Sequence, residues 1–93
     1  MKICFIMYPW DRVNPKQDST LRIIHELVSR NHEVAITYPQ NLTIRDSITL
    51  SLCRNIERGY KVSSSIPSFY KNIVFKEEMR PLQGFDVIFM RDN

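Results

Sequence analysis

The sequence predicts a small α/β domain built on a parallel core sheet, and three observations carry that expectation. Ile3 to Tyr8 is a nearly unbroken apolar run, the pattern of a central strand covered on both faces. Leu21, Ile24, Leu27 and Val28 then recur at helical spacing and make one apolar stripe. A second strand, Glu33 to Tyr38, follows that helix after a very short turn. Strand, crossover helix and strand form a βαβ unit, whose connection is right-handed in nearly all known cases.

Each element has local support. The segment PWDRVNPKQD, with its two prolines and polar residues, is a loop between the first strand and the helix. Asp18 or Ser19 accepts from the unpaired amides of the first helical turn. The helix stops near Arg30, because Asn31 tolerates the left-handed conformation and Arg30 and His32 suit the negative end of the dipole. From Pro39 to Phe75 the pattern changes. LTI and ITLSL are short and β-branched around a turn at Arg45 to Ser47, which predicts an added β-hairpin excursion. Ser63 to Ser68, SSSIPS, reads as a surface loop by composition, and Asn72 to Phe75 as another short strand. EEMRPLQG reads as a single helical turn broken by Pro81. Gly84 lets the chain turn into FDVIFM, the third core strand.

Bulk properties narrow the function. A chain of 93 residues has room for one core. No apolar run approaches the roughly 18 residues of a membrane span, and MKICFIMY is too short for a signal-peptide core. The net charge of +3 comes from cations interleaved with acids, as in IRDSITLSLCRNIERGYK, and no basic run carries stacking aromatics, so nucleic acid is not expected as a partner. Cys4 and Cys53 form no CxxC and have no paired histidines, which argues against a metal site and for Cys4 as a small buried hydrophobe in a reducing cytosol. His25 reads as an exposed helix histidine without a catalytic role, and Met7 and Met90 as strand core.

Ligands of open α/β sheets sit outside the carboxyl ends of the strands, and three segments converge there: Tyr8 to Trp10, Asp18 to Thr20, and Arg91 to Asn93. Arg91 is suited to a bidentate carboxylate contact or to a surface ion pair. Ser19 and Thr20 offer amides and hydroxyls to an anion, or serve as helix caps. Trp10 either lines the cleft or covers the core edge.

Four pieces in order, MKICFIMYP, KQDST, LVSRNHEV and LQGFDVIFMR, resemble the N-terminal domain of the bacterial glutathione synthetases, over essentially the whole chain. Tyr8 and Asn31 stand where that family commonly has aspartate and glycine. The resemblance implies a Rossmann-like pre-ATP-grasp domain of two or three layers, with residues 1–93 a single domain of a longer, cytoplasmic ligase. It implies an ATP-dependent reaction in which the carboxylate of γ-glutamylcysteine becomes an acyl phosphate that glycine attacks. ATP and Mg²⁺ are implied for the parent chain and no cofactor for this stretch, whose two glycines, Gly59 and Gly84, form no G-x-G-x-x-G or GK[ST] loop. The implied partners are a C-terminal ATP-grasp domain, the dipeptide and, through uncovered apolar surface, a second copy of the chain. The expected substrate-binding residues are Arg91, Asp92, Asn93, Ser19, Thr20 and Trp10, with none catalytic. Two alternatives are the N-terminal half of a two-domain glycosyltransferase, disfavoured because PWDRVNPKQDST has no glycine, and a non-enzymatic interaction domain using a sheet edge or SSSIPS.

Overall fold

The computed structural model describes residues 1–57 and 62–91. Along the chain run β1 (Lys2–Ile6), α1 (Ser19–Ser29), β2 (Glu33–Thr37), β3 (Leu42–Arg45), β4 (Ile48–Ile56), α2 (Ile66–Asn72), β5 (Phe75–Pro81) and β6 (Val87–Met90). All six strands belong to one sheet.

Its core is parallel where a crossover helix permits it. β1 lies between β2 and β6, with Ile3 opposite both Val34 and Val87. The remainder is antiparallel, built on the added hairpin that the sequence predicts and enlarged by a further strand. β4 pairs with β2 through Ala35–Asn55 and Ile36–Arg54, and with β3 from Leu42–Ser51 to Arg45–Ile48. β5 takes the other edge of β4, from Leu50–Pro81 to Ile56–Phe75. The two-residue turn at Asp46 and Ser47 sets the sense of the β3–β4 pair, because a tight turn joins antiparallel strands and cannot join parallel ones.

Both helices pack on one face of the sheet. There Ile3, Phe5, Val34 and Ile36 meet Leu21, Ile24 and Val28 of α1 and Phe69 of α2. The molecule is 19 Å in its thinnest dimension, which accommodates two layers and not three at roughly 10 Å per packed layer. On the opposite face Cys4, Ile6, Ala35 and Cys53 lie under Phe85 and Leu82, from the connection that crosses from β5 to β6. Arg80 completes this cover. Its guanidinium donates to Asn55 Oδ1 at 2.8 Å and Glu33 Oε2 at 2.9 Å, and sits 4.2 Å from the centre of the Phe85 ring. The Cys4 thiol is held well above the ordinary thiol range by its hydrogen bond with Cys53 and by burial, so it is an unreactive packing group.

The helix ends and the hairpin follow the sequence closely. Asp18 Oδ1 accepts from the Leu21 amide at 2.9 Å and starts α1. At its end Asn31 has φ 68°, with Asn31 N–H donating to Val28 O at 2.9 Å and His32 N–H to Leu27 O at 3.0 Å, the paired bonds of a Schellman stop. Asp46 and Ser47, at φ 53° and 65°, make a two-residue turn of the mirror-image type that suits twisted strands, with Arg45 the last residue of β3 and not part of the turn.

Residues 63–81 depart from expectation. SSSIPS is not a loop throughout: Ser65 caps α2 by accepting from the Ser68 amide at 3.4 Å, and Pro67 sits in the first turn. Ile66, Phe69, Tyr70 and Ile73 then supply a helical stripe in place of a strand at Asn72 to Phe75. KEEMRP extends as β5 because the long free edge of β4 supplies a backbone partner for each residue, and Pro81 is tolerated at its terminus. His25 is half-buried rather than exposed, its Nε2 2.7 Å from Ser63 O and its ring edge-on to Phe69. Met7 is buried, whereas Met90, on the edge strand, is 68% exposed and is not core.

Candidate functional site

The carboxyl ends of β1, β2 and β6 enclose a cleft of about 250 Å³, bounded by Tyr8 and Pro9, by Pro39 and Gln40, and by Met90 and Arg91. This is the position at which an open α/β sheet receives a ligand. Most of the wall is apolar, with polar groups supplied by Tyr8, Gln40 and Arg91. A second hollow, of about 370 Å³, lies over the amino end of β2 and is lined by Glu33, Asn55, Lys76, Glu78 and Arg80. Its hydrogen bonds run largely among its own groups, Arg80 to Glu33 and Asn55, and Asn55 to Glu78.

Arg91 is placed by the sheet. Its amide donates to Ile6 O at 2.8 Å, continuing the β1–β6 ladder one residue past β6. The side chain then turns to the start of α1, where Nε donates to Thr20 Oγ1 at 3.0 Å and Nη2 lies 3.5 Å from Ser19 Oγ. Arg91 and the Ser19–Thr20 pair, far apart in sequence, therefore meet. Thr20 is only 2% exposed, while Ser19 faces solvent and Arg91 is partly exposed beside the cleft.

Tyr8 joins the same group from the end of β1. Its hydroxyl donates to Asp18 Oδ2 while Asp18 Oδ1 caps the helix, so one carboxylate ties the β1 end to the α1 start. Burial and the hydrogen bond to Asp18 raise the Tyr8 pKa, and the Thr20 hydroxyl and the Arg91 charge partly offset the rise.

Trp10 is placed differently. It is 8% exposed and does not line the cleft. Its ring stacks on Tyr70 at 5.1 Å and meets Phe75 edge-on at 5.3 Å. Its amide donates to the Tyr38 hydroxyl at 3.2 Å and its carbonyl accepts from the Tyr70 hydroxyl at 2.6 Å. Trp10 thus anchors the loop that carries the cleft wall. Asp92 and Asn93 lie outside the described residues.

Gln40 was not selected from the sequence, although the residues that follow β2 reach the same carboxyl edge as those that follow β1. That positional rule was sufficient to find it. No helix among the described residues is long and apolar enough to cross a membrane, and no three His, Cys, Asp or Glu side chains among them gather as a metal site.

A search of curated proteins found no match. The family model described as prokaryotic glutathione synthetase, N-terminal domain, matches residues 1–93. With a βαβ core and a cleft at its carboxyl edge, the chain belongs to the family of prokaryotic glutathione synthetase N-terminal domains.

Proposed function

We propose that this domain, the N-terminal domain of a glutathione synthetase-like ligase, supplies the wall that holds a carboxylate of a γ-glutamylcysteine-like dipeptide. One observation carries the reading: Arg91 is tied at Nε to a buried threonine at the edge of a mostly apolar cleft, and among the described residues its terminal nitrogens are held only by the 3.5 Å contact from Nη2 to Ser19 Oγ. A monovalent cation against apolar walls suits a small acid with an uncharged body better than a polyphosphate. Tyr8 and Gln40 add hydrogen-bonding groups for the polar ends of such a molecule.

On this reading the reacting carboxylate is activated as an acyl phosphate and attacked by an amine, and the domain contributes binding and orientation. Fixing the acceptor lowers the entropic part of the barrier and excludes water from the reacting carbonyl. ATP and Mg²⁺ supply the activating phosphoryl group and its charge neutralisation. They do not fit the described part of this cleft. No carboxylate lines it, and Asp18 nearby already spends one oxygen on Tyr8 and the other on the Leu21 amide. We therefore assign nucleotide and metal to the ATP-grasp part of the parent ligase. The family assignment leaves the glycosyltransferase alternative without support.

Steady-state kinetics of Arg91→Ala in the parent ligase test the reading. The KM for the dipeptide rises roughly 10- to 100-fold, as expected for loss of a charged hydrogen-bonding partner, while the KM for ATP is unchanged. Equal effects on both substrates, or none on either, would remove Arg91 from the dipeptide site.

A further inference from the structure

We propose that Thr20 is a positioning residue for Arg91, a buried hydroxyl at the start of α1 that holds Nε and turns the terminal nitrogens of the guanidinium toward the cleft. The inference rests on the dipeptide reading for its functional consequence, but the contact itself is a property of the fold. Thr20 Oγ1 accepts from Arg91 Nε at 3.0 Å. The start of α1 that carries Thr20 is itself fixed, because Leu21 N–H donates to Asp18 Oδ1 at 2.9 Å and the Tyr8 hydroxyl donates to Asp18 Oδ2.

Burial makes the arrangement selective. Thr20 is 2% exposed, so water is a poor substitute for Arg91 as its donor, and a buried hydroxyl without a partner is costly. The Arg91 backbone is fixed as well, through its amide bond to Ile6 O at 2.8 Å. With backbone and Nε both held, the guanidinium has little rotational choice. Nη2 retains only the 3.5 Å approach to Ser19 Oγ, which a ligand can displace, and Nη1 has no partner among the described residues. An end-on pair of parallel N–H donors matches the two oxygens of a planar carboxylate. A lysine in place of Arg91 would lack both the Nε anchor and the fork.

The test is the Arg91 Nε–H resonance of the 93-residue chain in nitrogen-15 NMR. It should be resolved at neutral pH and exchange with water at least roughly 10-fold more slowly than the resonance of exposed Arg22, as one retained hydrogen bond requires. Thr20→Val should abolish that difference and Thr20→Ser should restore it. If Thr20→Val does not fold, Thr20→Ala carries the test, because it too removes the Oγ1 acceptor and should speed Arg91 exchange several-fold. Arg91 exchange as fast as that of Arg22, or unaffected by these substitutions, overturns the proposal. In the parent ligase, Thr20→Val should raise the dipeptide KM with kcat little changed, and Thr20→Ser should recover it. Slow exchange with an unmoved KM would keep the Thr20–Arg91 contact and remove the dipeptide reading; fast exchange removes the contact whatever the kinetics.

Discussion

At the level of single residues, Tyr8 and Tyr70 show how a hydroxyl placed for structure alters the response to pH. Both have pKa values raised above the ordinary 10.0, in each case chiefly by burial, with the Asp18 hydrogen bond adding to Tyr8 and the charge of Asp11 to Tyr70. The folded state therefore holds these protons more tightly than the unfolded chain. Their stabilisation is complete below about pH 10 and is lost as the pH rises through the higher folded values. Urea midpoints measured from pH 8 upward should fall more steeply above about pH 10 for wild type than for a Tyr8→Phe, Tyr70→Phe variant, whatever constant offset the lost hydrogen bonds produce below that pH. Parallel profiles would contradict this assignment. Topology and the family resemblance together brought Arg91, Ser19 and Thr20 into view from the sequence, because strand ends and helix starts are readable locally. They did not decide Trp10. Whether an aromatic faces a cleft or a core depends on Tyr70 and Phe75, whose positions follow from α2 and β5.

At the level of elements, what was legible is what local chemistry dictates. The α1 cap at Asp18, the left-handed stop at Asn31 and the turn between β3 and β4 each follow from one or two residues. α2 and β5 were not foreseen, for different reasons. Ser65, with Pro67 just inside the helix, is a start pattern that the serine-rich composition of SSSIPS obscured. β5 exists because β4 offers an unpaired edge, which no reading confined to KEEMRP contains. Two substitutions test this account. Ser47 occupies φ 65°, where a Cβ is strained, so Ser47→Gly should stabilise the chain by about 0.5–1 kcal/mol after the entropy cost of glycine, read as a higher urea midpoint. A lower midpoint would mean that Ser47 makes a compensating contact. Arg80→Met keeps most of the apolar stem but removes the bonds to Asn55 and Glu33, and should lower stability by roughly 1–3 kcal/mol. An unchanged midpoint would show that Phe85 and Leu82 cover that face unaided.

At the scale of the whole molecule, the sheet divides its labour. The parallel β6-β1-β2 part is clamped by the two helices on one side, and its carboxyl edge presents the cleft. The antiparallel β3-β4-β5 part extends beyond the helices and leaves Ile44, Leu52 and Met79 exposed. The early apolar run and the helical stripe announced the first part; the second was visible only as a hairpin, since its third strand enters from a distant segment. The cleft lies where strand order and strand direction put it, so the central claim is that this carboxyl edge holds a carboxylate through Arg91. Titration of γ-glutamylcysteine into the 93-residue chain, followed by amide and side-chain NMR shifts, tests it most directly. The account predicts shifts at Tyr8, Thr20, Gln40 and Arg91 that disappear in Arg91→Ala. Shifts that persist in Arg91→Ala, or that gather instead around Glu33, Asn55 and Arg80, would contradict it.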